Sequence, residues 1–108
     1  MNELPQAIAD YIAAANAQAP ERLATCFTPD AIVHDEGHEH RGRGRIAAWV
    51  RDTGMRYDAT IEPGVLDEIS GGHRLQATVR GNFPGSPIAL HFHFILEAGA
   101  IASLEIKP

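Results

Sequence analysis

This 108-residue chain is short of basic residues relative to acids, and it is short of cysteine. Nine lysines and arginines stand against 14 acids, for a net charge of −5 with the histidines neutral, and there is one cysteine. Nucleic acids and anionic membrane surfaces are gripped by basic patches, so the charge balance argues against both as partners. Cys26 has no second cysteine to pair with, which excludes an intrachain disulfide and points to a reducing compartment, the cytoplasm. The opening segment, MNELPQAIADY, lacks a basic stretch followed by an apolar run and does not read as a secretory signal. No apolar run approaches the ~20 residues of a membrane-spanning helix. Repeats, linkers and low-complexity segments are also missing. What remains is the composition of a globular protein, 44% hydrophobic and 21% charged, expected to form one domain over residues 1–108. A chain of this size buries roughly 65% of its unfolded surface, enough for one core and one small pocket.

Hydrophobic periodicity divides the chain. Leu4, Ile8, Tyr11, Ile12 and Ala15 mark one buried helical stripe. Pro20 suits the first turn of a second, short helix carrying Leu23, Cys26 and Phe27 inward. Thr28-Pro29-Asp30 is a turn signal, and a strand is expected over 31–35. A polar loop should fill 37–44. A third helix should then run over about 43–51, burying Ile46, Trp49 and Val50, with Gly54 as its stop. Tyr57, Ala59 and Ile61 alternate with polar residues, and Pro63-Gly64 marks a bulge in that strand. Three further strands follow, over 74–80, 88–96 and 101–106, separated by Gly-containing turns. Three helices and an early strand followed by four strands on short turns make an α+β arrangement. Its sheet should be antiparallel, with helices on one face.

One acid stands out in this pattern. In a strand successive side chains alternate faces, so Ala31, Val33 and Asp35 share a side. A carboxylate on the apolar side, at a strand end, loses water and becomes a better base. By residue type alone it is an ordinary solvated strand-end Asp.

Several motifs, taken in order, carry a resemblance. Phe27-Thr28-Pro29-Asp30-Ala31-Ile32-Val33-His34-Asp35 is followed by Gly42-Arg43-Gly44-Arg45-Ile46-Ala47-Ala48-Trp49, and late in the chain comes Glu97-Ala98-Gly99-Ala100-Ile101. In this the chain resembles the SnoaL-like branch of the NTF2-like superfamily, which also holds the ketosteroid isomerases. The resemblance implies an NTF2-like (cystatin-like) cone: three N-terminal helices packed on a strongly curved mixed or antiparallel sheet. It also implies a homodimer and a pocket for a small apolar molecule, without a cofactor. In ketosteroid isomerases a strand-end aspartate is the general base and a helix-1 tyrosine donates to the enolate oxygen. Asp35 falls on the first position and Tyr11 on the second. The resemblance thus implies proton transfer next to a carbonyl, isomerising or cyclising a small apolar ketone, with Val33, Trp49, Phe92 and Phe94 lining the substrate site. The chain departs from both relatives on its late strands. The isomerases' second donor, an acid, has no counterpart over 88–96, where the matching position falls near Phe92. SnoaL-type cyclases use an acid and a histidine there, whereas His91 and His93 alternate with Phe92 and Phe94 and point away from them.

Two other functions fit the residues. The pocket could bind a hydrophobic ligand without chemistry, or the face bearing Arg74, Gln76, Thr78, His91, His93 and Ile95 could pair two subunits. A metal site is the second alternative. His34, His38 and His40 crowd one segment with Asp35, Glu36 and Glu39, and His91-Phe92-His93 with Glu97 imitates a cupin motif. A second cupin motif has no room after Glu97, and no metal is expected. Arg41, Arg43 and Arg45 either hold an anionic group at a helix start or balance the acids across the loop.

Overall fold

A computed structural model describes residues 4–108. Helix α1 (Gln6–Asn16) buries Ala7, Ile8, Tyr11, Ile12 and Ala14, the expected stripe. The Pro5 carbonyl opens it by accepting the Ile8 and Ala9 N–H groups. Leu4 packs against the core from just before the helix. Helix α2 (Pro20–Ala24) has its proline in the first turn and buries Leu23 and Ala24.

Strand β1 (Phe27–Asp35) begins earlier than expected. The predicted turn Thr28-Pro29-Asp30 lies within the strand as an irregularity, where five residues of β1 advance against two of β6. Turn-forming residues bow the strand outward without ending it. Residues 38–41, expected as loop, form β2 (His38–Arg41), an antiparallel partner of β1. The link is a two-residue turn, Glu36-Gly37, with both φ positive (51° and 75°). Those dihedrals belong to the tight turn whose twist matches paired strands.

Helix α3 (Arg43–Tyr57) runs past Gly54, the expected stop, and Tyr57 is its last residue and not part of a strand. The helix ends one residue later, where Asp58 takes the left-handed conformation and its N–H returns to the Gly54 carbonyl. Gly54 within the helix costs about 1 kcal/mol against alanine, and a Cβ there would meet the Gln18 amide at an ordinary contact distance of 3.6 Å.

Four strands complete the chain: β3 (Thr60–Ile69), β4 (Gly72–Arg80), β5 (Ile88–Glu97) and β6 (Ala100–Lys107). The sheet order is β2-β1-β6-β5-β4-β3, and β1–β6 is parallel while every other pair is antiparallel. The sheet is therefore mixed. The expected bulge is present: from Pro63 to Leu66 β3 advances three residues while β4 advances two. A side chain on Gly64 would come 2.7 Å from the Gln76 carbonyl oxygen, so glycine is what permits the close approach there. A second irregularity sits between Ile95 and Leu96 on β5. Bulges raise local twist and bend the sheet over its helices. The fold is NTF2-like and α+β.

The inner face carries Leu75, Ala77, Val79, Phe92, Phe94 and Leu104, all buried. The outer face is polar. One row across it runs Asp67, Arg74, His93, Glu105, His34 and Glu39, one residue from each strand. Asp67 and Arg74 pair at 3.6 Å.

The helix ends are tied to the sheet. Asn16 donates to the Ile61 carbonyl (2.9 Å) and accepts the Ile61 N–H (2.7 Å), so its amide caps the edge strand. The Tyr57 carbonyl accepts the Asn82 N–H at 2.6 Å. A Cβ on Gly81 would lie 2.7 Å from that same carbonyl oxygen. Gly81→Ala should therefore lower the unfolding free energy by about 1–3 kcal/mol, read from the denaturant midpoint at constant m.

Candidate functional site

The helices cover only part of the bent inner face. What is left is a cavity of about 610 Å³, with Tyr11, Asp35, Trp49, Tyr57, Phe83 and Phe92 on its wall. That volume lies within the range of small-molecule pockets. Of the six residues expected at the site, Tyr11, Asp35, Trp49 and Phe92 line the cavity together. Val33 and Phe94 do not. Val33 is fully buried on the inner side of β1, and Phe94 is buried against the edge of the Tyr11 ring (5.6 Å, 74°). Both point inward, as alternation required, but they fill core at the closed end of the cone.

Tyr11 is fixed on two sides, by Phe94 and by Phe27 (6.0 Å, 76°). Burial, and then the nearby Asp35 charge, push its phenol far above the ordinary tyrosine range. The group is thus a neutral O–H donor at every physiological pH. Asp35 sits where β1 turns into β2. Burial raises its carboxyl pKa above the usual value. The Trp49 indole N–H, donating to Oδ2 at 3.0 Å, works against that rise. Glu36 adds to the rise, and His40 and the Glu36 backbone N–H oppose it. An acid so placed is ready to take a proton, and the phenol is ready to hold an oxygen.

Sequence reasoning missed three neighbours. Tyr57 and Phe83 meet edge to face at 5.9 Å on the cavity wall. Trp49, Thr53 and Tyr57 lie at i, i+4 and i+8, so continuing the helical period through Gly54 would have found the tyrosine. His40 stacks on Trp49 with centroids 5.7 Å apart and an interplanar angle of 28°. Reading Glu36-Gly37 as a hairpin turn would have placed it.

The metal alternative does not assemble. His34 faces outward with Glu39 (3.9 Å), His40 faces inward on Trp49, and among the described residues no three potential ligands converge. Two of the three clustered arginines have protein partners: Arg43 donates to the Phe27 carbonyl at 2.9 Å, and Arg41 lies 3.8 Å from Glu39.

Fold and cavity together define an NTF2-like protein with a pocket of small-molecule size. The SnoaL-like domain family matches residues 8–104, and the chain belongs to that family. A candidate polyketide cyclase from Sinorhizobium meliloti is 34% identical, with a TM-score of 0.92 over 96% of this chain and 95% of that one. A Catenulispora acidiphila protein of ketosteroid isomerase-like fold, solved with trimethylamine, is 19% identical (TM-score 0.87; 98% and 87% covered). The epoxide hydrolase/cyclase-like enzyme SalBIII of salinomycin pyran-ring formation is 18% identical (TM-score 0.75; 94% and 87% covered). No curated protein matches the chain. Among the described residues no helix is long and apolar enough to cross a membrane.

The raised Asp35 pKa has a stability consequence. The folded state holds this proton more tightly than the unfolded chain, whose aspartates titrate near 3.9. Stability is therefore lost as pH climbs from that value through the folded pKa, and stays lower above it. Asp35→Asn removes this loss. The variant should gain on the wild type across that window and hold a constant advantage at neutral pH, measured by urea unfolding at a series of pH values.

Proposed function

We propose that the cavity carries out proton transfer next to the carbonyl of a small, mostly apolar ketone, leading to isomerisation or cyclisation. The supporting observation is that Asp35 and Tyr11 line the same mostly apolar cavity, close enough for the acid's charge to act on the phenol. In this scheme ionised Asp35 takes a proton from the α-carbon. The C–H electrons form the enolate double bond, and the carbonyl π electrons move to oxygen, where the Tyr11 O–H donates a hydrogen bond. The enolate then recovers the proton from Asp35 at another carbon, or its carbon attacks a second carbonyl carbon in the same molecule, whose π electrons move to oxygen, and that oxygen takes the proton from Asp35. The S. meliloti relative is named for cyclisation, which fits the second outcome. With a single donor at the oxygen, turnover should be slow.

Deuterium wash-in at the α-carbons of a ketone panel, followed by NMR, tests this. Wild-type protein should exceed buffer. Asp35→Asn should lose about 10²–10⁴-fold and Tyr11→Phe about 10²–10³-fold. Undiminished exchange in Asp35→Asn removes it as the base. Ketone binding without exchange in the wild type leaves a non-catalytic pocket.

We also propose that the outer face pairs two copies of the chain. Ile95 and Val65 are about half exposed there. His93 and Glu105 are cross-strand neighbours at the middle of the charged row. A two-fold axis parallel to the strands and between β5 and β6 sets His93 of each copy over Glu105 of the other, so the centre of the row is self-complementary. Sedimentation should give a two-chain mass for the wild type and a one-chain mass for Ile95→Asp. A monomeric wild type at micromolar concentration rejects the pairing.

A further inference from the structure

We propose that His40 and Trp49 form a positioning pair for Asp35: the stacked imidazole holds the indole, and the indole N–H holds one carboxylate oxygen. The inference rests on Asp35 as the cavity's base, and it adds two residues that act on that base.

The geometry comes from three elements meeting at one point. Asp35 is the last residue of β1, and His38 lies opposite it on β2. His40 lies opposite Val33, whose side chain is fully buried, so the imidazole is on the inner side of the hairpin. Trp49 reaches the same place from α3, with one ring face toward His40 and its N–H toward Asp35 Oδ2 at 3.0 Å. His40 does not line the cavity, whereas Trp49 does. Any effect of His40 on a ligand therefore passes through Trp49 or through charge.

The arrangement does two things. A carboxylate on a single-bonded stem rotates, and a rotating base spends little time aimed at one C–H bond. Fixing Oδ2 leaves Oδ1, which has no side-chain partner among the described residues, for the ligand. The pair also favours the charged form, because the indole hydrogen bond and any positive charge on His40 both stabilise the carboxylate. The other ionisable groups beside Asp35 or on the cavity it lines are His38 on β2, Glu36 in the turn, Tyr11 on α1, Tyr57 at the end of α3 and Lys107 at the end of β6. Only Glu36 joins burial in opposing ionisation of Asp35.

Trp49 is the only tryptophan in the chain, so its emission reports on this site alone. The test uses the full chain and four variants. Asp35 carboxyl titration by ¹³C NMR should shift to higher pH in Trp49→Phe, which keeps the bulk and loses the donor. It should also shift upward in His40→Ala and in His40→Phe, both of which lose the charge. Steady-state anisotropy of Trp49 should fall in His40→Ala and recover in His40→Phe, which restores the stack. In α-carbon exchange, Trp49→Phe should lose about tenfold in kcat with KM within about twofold, and Asp35→Asn sets the floor. An Asp35 midpoint unmoved in both Trp49→Phe and His40→Ala, or an anisotropy unchanged in His40→Ala, overturns the pair. The titration needs no turnover. A wild type that exchanges no ketone removes the base chemistry while the carboxyl midpoints still decide the pair.

Discussion

The structure depends on a mismatch of shape: a bent sheet presents more apolar inner surface than its helices cover. Apolar residues collapse onto one another to leave water, and α1, α2 and α3 do this at the closed end, over Phe27, Phe94, Ile101 and Leu104. At the other end the bulge at Gly64 bends the sheet away faster than α3 follows. Packing to the usual density throughout would need either flatter strands or larger side chains on Ala15, Ala59 and Val79. The small residues there leave the hollow open. The cavity is a consequence of register and residue size.

Placing a carboxylate in such a hollow is costly, and the cost explains its surroundings. A buried charge without partners shifts its pKa until it neutralises. Asp35 escapes full burial by sitting at a strand end, and it has one strong donor in Trp49. The compromise leaves it partly desolvated, with a raised pKa, and still able to ionise. Tyr11 meets the same environment with the opposite result. Desolvation strengthens a phenol's hold on its proton, so the group stays a donor. One environment thus sorts two oxygen acids into an acceptor and a donor, and neither needs a metal to define its role.

Much of this was legible in the chain, with misses of two kinds. Periodicity located Tyr11 on a buried stripe, alternation put Asp35 on the inner side of β1, and Pro63-Gly64 announced the bulge. The errors in element bounds came from trusting local signals. Gly54 was read as a stop, but tertiary contact with Gln18 and a left-handed cap at Asp58 carry α3 one turn further, which brings Tyr57 to the cavity. Residues 38–41 were read as loop on polarity, but pairing with β1 settles them as strand, which brings His40 to Trp49. Val33 and Phe94 show a different limit. Alternation says which face a side chain takes, and it does not say whether that face is packed solid or hollow at that height. Depth along the cone is set by the bulges and by neighbouring strands distant in sequence.

The same depth argument bears on what the site selects. Near Asp35 and Tyr11 the wall is aromatic and aliphatic, so a ligand meets polar partners mainly at one end. Apolar walls discriminate weakly, by about 1–3 kcal/mol per methylene. A polar pair inside them discriminates strongly, because a ligand lacking the matching oxygen leaves the Tyr11 hydroxyl unanswered in a dry place. The cavity should therefore tolerate variation in carbon skeleton and reject loss of the carbonyl. The other polar wall residues are Gln18, Glu36, Thr53, Tyr57 and Lys107, and β5 itself presents Phe92 to the cavity in place of a polar donor. Sequence change on the aromatic wall would then retune which skeletons enter, and change at Asp35, Trp49 or Tyr11 would alter the proposed proton transfer.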